Sequence, residues 1–146
     1  MSGIYDPKTY QPRESIGFLL QRARLQILDD LDRELEPLGI TSAQFIILVR
    51  LSEQEVGSAA GLCRGVSYDP GAMTRMIDRL EKKGLIRRVR RADDRRKVDI
   101  RLTPEGRAVR PKLIATVVKV LNHRLRGFTR AEAQQFTEFL HRVIAE

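Results

Sequence analysis

The chain has very little of the chemistry that enzymes, metal sites and disulfide-bonded proteins use. Its 146 residues include one cysteine, two histidines and no tryptophan. One cysteine excludes an intramolecular disulfide, and Cys63, His123 and His141 are too few soft ligands for a structural zinc site. The sequence also lacks a phosphate-binding glycine loop and a nucleophile elbow. We therefore expect no catalytic residue, no metal and no cofactor, and a protein that is not an enzyme.

Long apolar runs are missing as well. No stretch approaches the roughly 18 residues that a membrane span needs, and the start of the chain, MSGIYDPKTYQPRES, lacks the apolar stretch of a signal peptide. Hydrophobic residues nevertheless make up 42% of the chain and charged residues 32%, as in a folded globular domain. The sequence thus predicts one cytoplasmic domain without a membrane partner.

What the sequence has in excess is positive charge, and this charge is concentrated. There are 27 Lys and Arg against 19 Asp and Glu, which gives a net charge of +8. Residues 64–112 hold sixteen of the cations and seven of the acids, so this third of the chain carries +9 and the remainder −1. A basic segment between near-neutral arms favours a dedicated binding surface for a polyanion over a charged face that only contacts solvent. Nucleic acid is the first candidate for that polyanion.

The N-terminal part of the chain contains three predicted helices. Apolar residues recur at three- and four-residue steps over residues 15–38, which is typical of one face of a long helix. Thr41 and Gln44 have the spacing of a capping box and start a second, largely buried helix. Ser58 caps a brief third helix, which is predicted to end where Gly65 opens a turn.

A fourth helix and a hairpin follow. Asp69 can cap the helix, Pro70 suits its first position, and the helix is predicted to run to Gly84. Residues 98–102 alternate apolar and charged side chains, as a strand with one buried face does, and residues 86–90 are the expected antiparallel partner.

Two more helices complete the pattern. Thr103 and Pro104 repeat the signal of a cap followed by proline, and Thr129 and Glu132 form another capping box. The predicted fold is therefore mainly α with a small β-hairpin. Because the third and fourth helices are joined by a turn and the hairpin follows directly, the order is that of a winged helix-turn-helix.

The fourth helix is predicted to meet DNA. The small residues Gly71, Ala72 and Thr74 allow its start to approach base edges closely, while Arg75 and Arg79 extend from it one turn apart. The planar fork of an arginine can pair with both acceptors of a guanine in the major groove, which contributes about 1 to 3 kcal/mol of discrimination. The alternative is an ordinary solvated face, in which Asp78 and Glu81 pair with cations of the same helix: Arg75, Arg79 or Lys82.

The hairpin loop, RRADDRRK, is too polar to fill a core and is expected to project from the fold. Arg95 and Arg96, followed by Lys97, are suited to a narrow minor groove, where the negative potential is concentrated. Acids beside DNA need another explanation. Asp93 is interpreted either as the partner that orients Arg95 or as part of a plain polar turn, and the spacing does not decide between them.

Two segments of the chain resemble the multiple antibiotic resistance regulator (MarR) family of bacterial transcription factors. Residues 68–85 read YDPGAMTRMIDRLEKKGL, and residues 93–106 read DDRRKVDIRLTPEG, which is similar to the wing signature of the family. The resemblance implies a two-fold homodimer with intertwined terminal helices, in which each subunit places its fourth helix in a major groove and its wing in a flanking minor groove of double-stranded DNA.

By position, the resemblance implies that Ala72, Thr74 and Arg75 face bases, that Arg95 is the wing-tip arginine and that Asp93 holds the wing. It also implies a single domain over residues 1–146. In that domain, residues 41–102 form the winged helix-turn-helix lobe, and residues 15–38 and 104–145 form the dimerisation helices.

The expected function is that of a sequence-specific dimeric transcriptional regulator. The resemblance favours a repressor that a small aromatic or phenolic ligand releases from a pseudo-palindromic operator. The alternative is an architectural protein that binds DNA without sequence specificity and without effector control.

Overall fold

The structure, a computed structural model, describes residues 3–54, 56–66 and 69–145. Within these ranges the chain forms six α-helices and three β-strands. In chain order they are α1 (Ile16–Leu35), α2 (Ser42–Gln54), β1 (Val56–Gly57), α3 (Ala59–Val66), α4 (Pro70–Lys82), β2 (Ile86–Arg90), β3 (Val98–Leu102), α5 (Pro104–Arg124) and α6 (Arg130–Ile144). The prediction of a mainly helical chain with a small hairpin is confirmed.

The predicted helix starts coincide with side-chain caps. Gln44 N donates to Thr41 Oγ1 at 3.1 Å, and Thr41 N donates to Gln44 Oε1 at 3.2 Å, which completes the capping box of α2. Thr129 and Glu132 form the same reciprocal box at α6. Each cap satisfies amides that the first turn of a helix leaves without a partner.

The predicted hairpin is correct to the residue, but the sheet has a third strand. β2 and β3 pair antiparallel from Ile86↔Leu102 to Arg90↔Val98, and β1 adds to the other edge of β3 at Gly57↔Ile100. Two residues are too few for an alternating pattern, which is why β1 was missed. A Cβ at Gly57 would lie 2.9 Å from Leu51 Cδ2, so glycine lets this short strand approach α2.

The predicted end of the third helix is wrong. α3 continues to Val66, past the expected turn at Gly65. Glycine lowers helix propensity by about 1 kcal/mol but does not end a helix that tertiary packing holds, and Leu62 of α3 is buried in the core. Tyr68, the first residue of the family-like segment, lies outside the described residues.

The chain divides into two compact units, Leu31–Val117 (the central unit) and Met1–Asp30 with Val118–Glu146 (the terminal unit). Of the sixteen buried hydrophobic residues that the structure describes, fifteen belong to the central unit. They include residues of α2, α3, α4, β2 and β3, for example Leu51, Leu62, Ile77 and Ile100. This unit therefore has its own hydrophobic core.

The terminal unit buries only Val120 among its described apolar residues. Arg124 Nε donates to Asp30 Oδ2 at 2.5 Å, which ties the end of α5 to α1 and raises the pKa of Arg124 through the hydrogen bond. Phe128 and Phe136 stack at 6.2 Å between ring centroids. Large apolar side chains stay exposed along its helices and in the connection between α5 and α6: Ile16, Leu19, Leu25, Val118, Leu121, Phe128, Phe136, Phe139, Val143 and Ile144.

No single helix in the described ranges is long and apolar enough to cross a membrane. One bent pair, Ile16–Leu38 with Ser42–Gln54, reaches that length and composition together across an 80° bend.

The end of α4, the start of β2 and the start of α5 meet at one junction in the central unit. Gly84 has φ +73, and Leu85 N and Gly84 N donate back to Leu80 O and Glu81 O, at 3.1 and 2.9 Å, which closes α4 with a Schellman motif. Thr103 N donates to Leu85 O at 3.0 Å, so the first residue after β3 binds the same turn.

We predict that Gly106→Ala destabilises the central unit. A Cβ at residue 106 would lie 2.0 Å from Leu85 O, and because this contact is with backbone the junction must move. The expected loss in the free energy of unfolding is about 1 to 3 kcal/mol in urea denaturation. Gly17→Ala is the control, since nothing lies within 4 Å of its Cβ position. Equal stability of the two variants would contradict the prediction.

Candidate nucleic-acid interface

The start of α4 is an exposed helix end with small side chains. Asp69 has extended backbone, and its Oδ1 accepts a hydrogen bond from Ala72 N at 2.8 Å. Pro70, at the first helical position, has no amide to leave unpaired. Gly71 is exposed and Ala72 is half-buried, so little side-chain volume obstructs this end of the helix.

Thr74, Arg75 and Arg79 lie on the same exposed face of α4. Thr74 Oγ1 donates to Pro70 O at 2.9 Å, which leaves the hydroxyl oxygen as an acceptor. Arg75 Nη1 lies 3.5 Å from the position of a Cβ at Gly71, so the guanidinium lies back along the helix start, where glycine leaves room for it. The opposite face is buried, as predicted, through Met73, Met76, Ile77 and Leu80.

The acids of α4 do not pair with cations of their own helix. Arg88 of β2 donates to both, from Nη2 to Asp78 Oδ1 at 2.5 Å and from Nη1 to Glu81 Oε1 at 2.7 Å. The interpretation in which Asp78 and Glu81 pair with Arg75, Arg79 or Lys82 is therefore wrong. Burial lowers the pKa of Arg88, but the hydrogen bonds to the two acids outweigh it and the pKa is raised.

The hairpin loop is built around Asp94. Arg91 N donates to Lys97 O at 3.0 Å and closes the loop, while Lys97 N donates to Asp94 O at 2.9 Å. Asp94 Oδ1 accepts from Arg96 N at 3.0 Å. The side chains of Arg95, Arg96 and Lys97 are exposed at this tip. The loop is thus a defined turn whose tip carries three exposed cations.

Asp93 pairs with Arg91 and not with Arg95, which corrects the expected orienting contact. Arg91 Nε and Nη2 donate to the two oxygens of Asp93 at 2.9 and 2.6 Å, in a forked arrangement. Arg91 lies two residues before Asp93 in the hairpin loop, so this pair is a local contact on one side of the loop. The hydrogen bond from Arg91 lowers the pKa of Asp93 and raises that of Arg91.

In this part of the described chain the acidic side chains are paired, whereas several of the cationic side chains are not. All six acids at positions 69–99 have a partner: Asp69, Asp78, Glu81, Asp93, Asp94 and Asp99. In the described part of the chain, the side chains of Arg75, Arg79 and Arg95 have no hydrogen bond or ion pair. The exposed charge that is left without a counter-charge is positive.

Two positioning contacts were missed from the sequence. Lys83, at the end of α4, donates to Gly39 O and, at 2.9 Å, to Gln44 Oε1, which ties the helix to the α1–α2 connection. Arg88 joins α4 to the hairpin. The strand alternation contained a signal for Arg88, since it falls on the same face as the buried Ile86 and an inward charge requires a partner.

Comparisons with known proteins agree with this geometry. The family model that matches the chain is described as the MarR family and covers residues 40–98. The transcriptional regulator SarZ of Staphylococcus haemolyticus is 30% identical over 98 residues, which cover 67% of each chain. The chain belongs to the MarR family.

Other relatives are named transcriptional repressors. Rv2887 of Mycobacterium tuberculosis is 29% identical over 88% of this chain and 92% of its own length. MdtR of Bacillus subtilis is 33% identical, but the match spans only 57% of that protein and 63% of this one. This MarR-family chain is accordingly a DNA-binding transcriptional regulator, and its relatives are regulators and not enzymes.

Solved MarR-family structures have the same fold. Wild-type MarR from E. coli in its apo form gives a TM-score of 0.81 at 29% identity and covers 88% of this chain and 96% of that one. A mutant E. coli MarR complexed with operator DNA gives 0.78 at 29% identity, over 88% and 92%. CouR from Rhodococcus jostii RHA1 bound to p-coumaroyl-CoA gives 0.78 at 28%, over 92% and 95%.

We predict that Arg91→Gln raises the pKa of Asp93 towards its ordinary value, whereas Arg95→Gln leaves it unchanged. Because the folded-state pKa of Asp93 is lowered, its pair with Arg91 stabilises the fold at pH values above the unfolded-state pKa of about 3.9. This stabilisation is lost as the pH falls through the lower folded-state pKa. The pKa of Asp93 is measured in both variants by following the chemical shift of its carboxyl carbon in an NMR titration. A larger rise of the Asp93 pKa in Arg95→Gln than in Arg91→Gln would contradict this prediction and support the pairing of Asp93 with Arg95.

Proposed function

We propose that the chain is a dimeric, sequence-specific repressor. In this proposal the lobe of residues 41–102 binds DNA, with α4 in the major groove and the hairpin loop in the flanking minor groove. Residues 15–38 and 104–145 carry the dimer contact. A two-fold dimer reads a pseudo-palindromic operator whose half-sites lie about one helical turn, roughly 34 to 36 Å, apart.

The observation that carries this proposal is the unbalanced positive charge of α4 and the hairpin loop. Arg75 and Arg79 lie one turn apart on a helix that starts with small side chains. Neither arginine forms an ion pair with a carboxylate in the described part of the chain. Arginines that are free to form bidentate contacts can read guanine in a major groove. The complex of a mutant MarR with operator DNA supports the same use of the fold.

The loop cations have a different proposed role. Arg95, Arg96 and Lys97 extend from a turn that Asp94 holds together. A narrow minor groove concentrates negative potential but distinguishes base pairs poorly. We therefore assign affinity and sensitivity to flanking A·T content to the hairpin loop, and base discrimination to α4.

The terminal unit supports the proposed homodimer. Its helices expose Phe136, Phe139, Val143 and Ile144, while only Val120 is buried there. Exposed apolar surface on this scale marks an interaction site, and a symmetric partner offers the same surface in return.

Release by a small aromatic or phenolic ligand completes the proposal. Its support comes from relatives, since CouR is bound to p-coumaroyl-CoA and the DNA binding of Bordetella bronchiseptica BpsR is regulated by 6-hydroxynicotinic acid. A ligand that binds the DNA-incompetent state more tightly shifts the population away from the operator. The test is loss of operator binding on addition of aromatic carboxylates, with cyclohexanecarboxylate as the non-aromatic control.

The decisive experiment selects genomic fragments with the purified protein and then compares the affinity for an enriched fragment and for its scrambled form. An inverted repeat bound about 10³-fold or more tightly than the scramble at physiological salt supports a specific repressor. Equal binding of both, with steep salt dependence, identifies the architectural alternative.

We predict different losses for the two arginine classes. Arg75→Ala is expected to lower discrimination between operator and scramble by about 1 to 3 kcal/mol. Arg95→Ala is expected to weaken binding to both, with the slope of log affinity against log salt reduced by about 0.9. Arg130→Ala, which removes a charge from the start of α6, is the control. Identical losses on every duplex for Arg75→Ala and Arg95→Ala would refute this division.

We predict that Val143→Lys produces monomers that bind the operator weakly. The substitution places a charge in the apolar face of α6, and analytical ultracentrifugation measures the resulting shift in mass. Gln134→Lys is the matched control, because residue 134 lies on the opposite side of the helix and the new lysine can pair with Glu138. A Val143→Lys variant that stays dimeric would place the interface elsewhere.

A further inference from the structure

Arg88 is the one described cation that joins α4 to the hairpin through carboxylates. It lies opposite Ile100 in the β2–β3 ladder, and 31% of its side chain is exposed. Its backbone also takes part, since Arg88 N donates to Glu81 Oε2 at 2.9 Å while the guanidinium holds Glu81 Oε1 and Asp78 Oδ1. Both acids are thus bound by a single residue from another element.

These acids lie on the surface that is proposed to meet DNA. Together with three cations of α4 they line an open hollow of about 580 Å³, formed by Arg75, Asp78, Arg79, Glu81 and Lys82. Asp78 keeps 58% of its side chain exposed and Glu81 keeps 39%. Carboxylates in this position repel phosphates and compete with DNA for the neighbouring arginines.

We propose that Arg88 is a positioning residue that acts as the internal counter-ion of the recognition helix. This role rests on the proposed function. By binding Asp78 and Glu81 on the hairpin side, Arg88 keeps the two acids from pairing with Arg75 and Arg79, which stay available to DNA. Arg88 itself touches no phosphate, because its guanidinium is committed to the acids.

Two other roles for Arg88 make different predictions. If Arg88 only tethers the hairpin to α4, neutralising the acids breaks the tether and weakens DNA binding even when Arg88 is present. If Arg88 binds a phosphate, its removal lowers the salt dependence of binding, and neutralising the acids does not restore affinity. The counter-ion role alone predicts that removal of the acids compensates for removal of the arginine.

The experiment compares the parent with Arg88→Met, the double variant D78N/E81Q and the triple variant R88M/D78N/E81Q. Dissociation constants are measured for a labelled operator duplex over a range of salt concentrations, and circular dichroism checks that each variant is folded. We expect Arg88→Met to bind at least about tenfold more weakly than the parent, with an unchanged salt slope. We expect the double and triple variants to bind within about twofold of each other and no more weakly than the parent.

Several results would overturn the role of Arg88: a triple variant as weak as Arg88→Met, a double variant as weak as Arg88→Met, or a salt slope that falls by about 0.9 with no recovery in the triple variant. Should Arg88→Met fail to fold, Arg88→Lys keeps the charge without the fork, and the double variant still separates a tether from a counter-ion. A parent that binds no DNA refutes the proposed function together with this role, whereas a parent that binds with no recovery in the triple variant refutes the role alone.

Discussion

The proposed DNA-binding surface depends on the close contact between the start of α5 and the turn that ends α4. Leu85 O accepts from Thr103 N at 3.0 Å and lies so close to Gly106 that no side chain fits there. Thr103 Oγ1 adds a hydrogen bond of 2.6 Å to Gly84 O. Because one turn ends α4, starts β2 and receives α5, none of the three can shift without the others.

For the proposed DNA-binding surface, the pairing of the charged side chains is more informative than the net charge. A net charge of +9 over residues 64–112 is compatible with any basic surface. The pairing pattern is more specific, since the acids at positions 69–99 are bound by Arg88, by Arg91, by Arg101 or by backbone amides. In the described part of the chain, Arg75 and Arg79 on the exposed face of α4 have no such partner. Exposed ion pairs add little stability, about 0 to 1 kcal/mol each, so their main consequence here is which cations remain available.

The parts of the fold that were predictable from the sequence are those with local causes. The caps at Thr41, Asp69 and Thr129 act within one turn, and the alternation of residues 98–102 reports a buried face directly. The partners of Asp93 and of Arg88 were not predictable, since several arginines lie at suitable spacing and only the geometry of the strands selects among them. The exposed face of α4 was located by periodicity, whereas the contacts that orient it come from residues distant in sequence.

The same ion pairs bear on whether the proposed surface responds to pH or to salt concentration. Arg88 and Arg91 have raised pKa values and Asp93 has a lowered one, so each of these groups keeps its charge throughout the neutral range. Both histidines, His123 and His141, belong to the terminal unit and not to the central unit that carries α4 and the hairpin. Phosphate contacts of arginine are by contrast weakened steeply by salt, because binding releases counterions from DNA. For the proposed DNA-binding surface of the central unit, this charge arrangement predicts an affinity that is sensitive to ionic strength and nearly indifferent to pH between about 6 and 8.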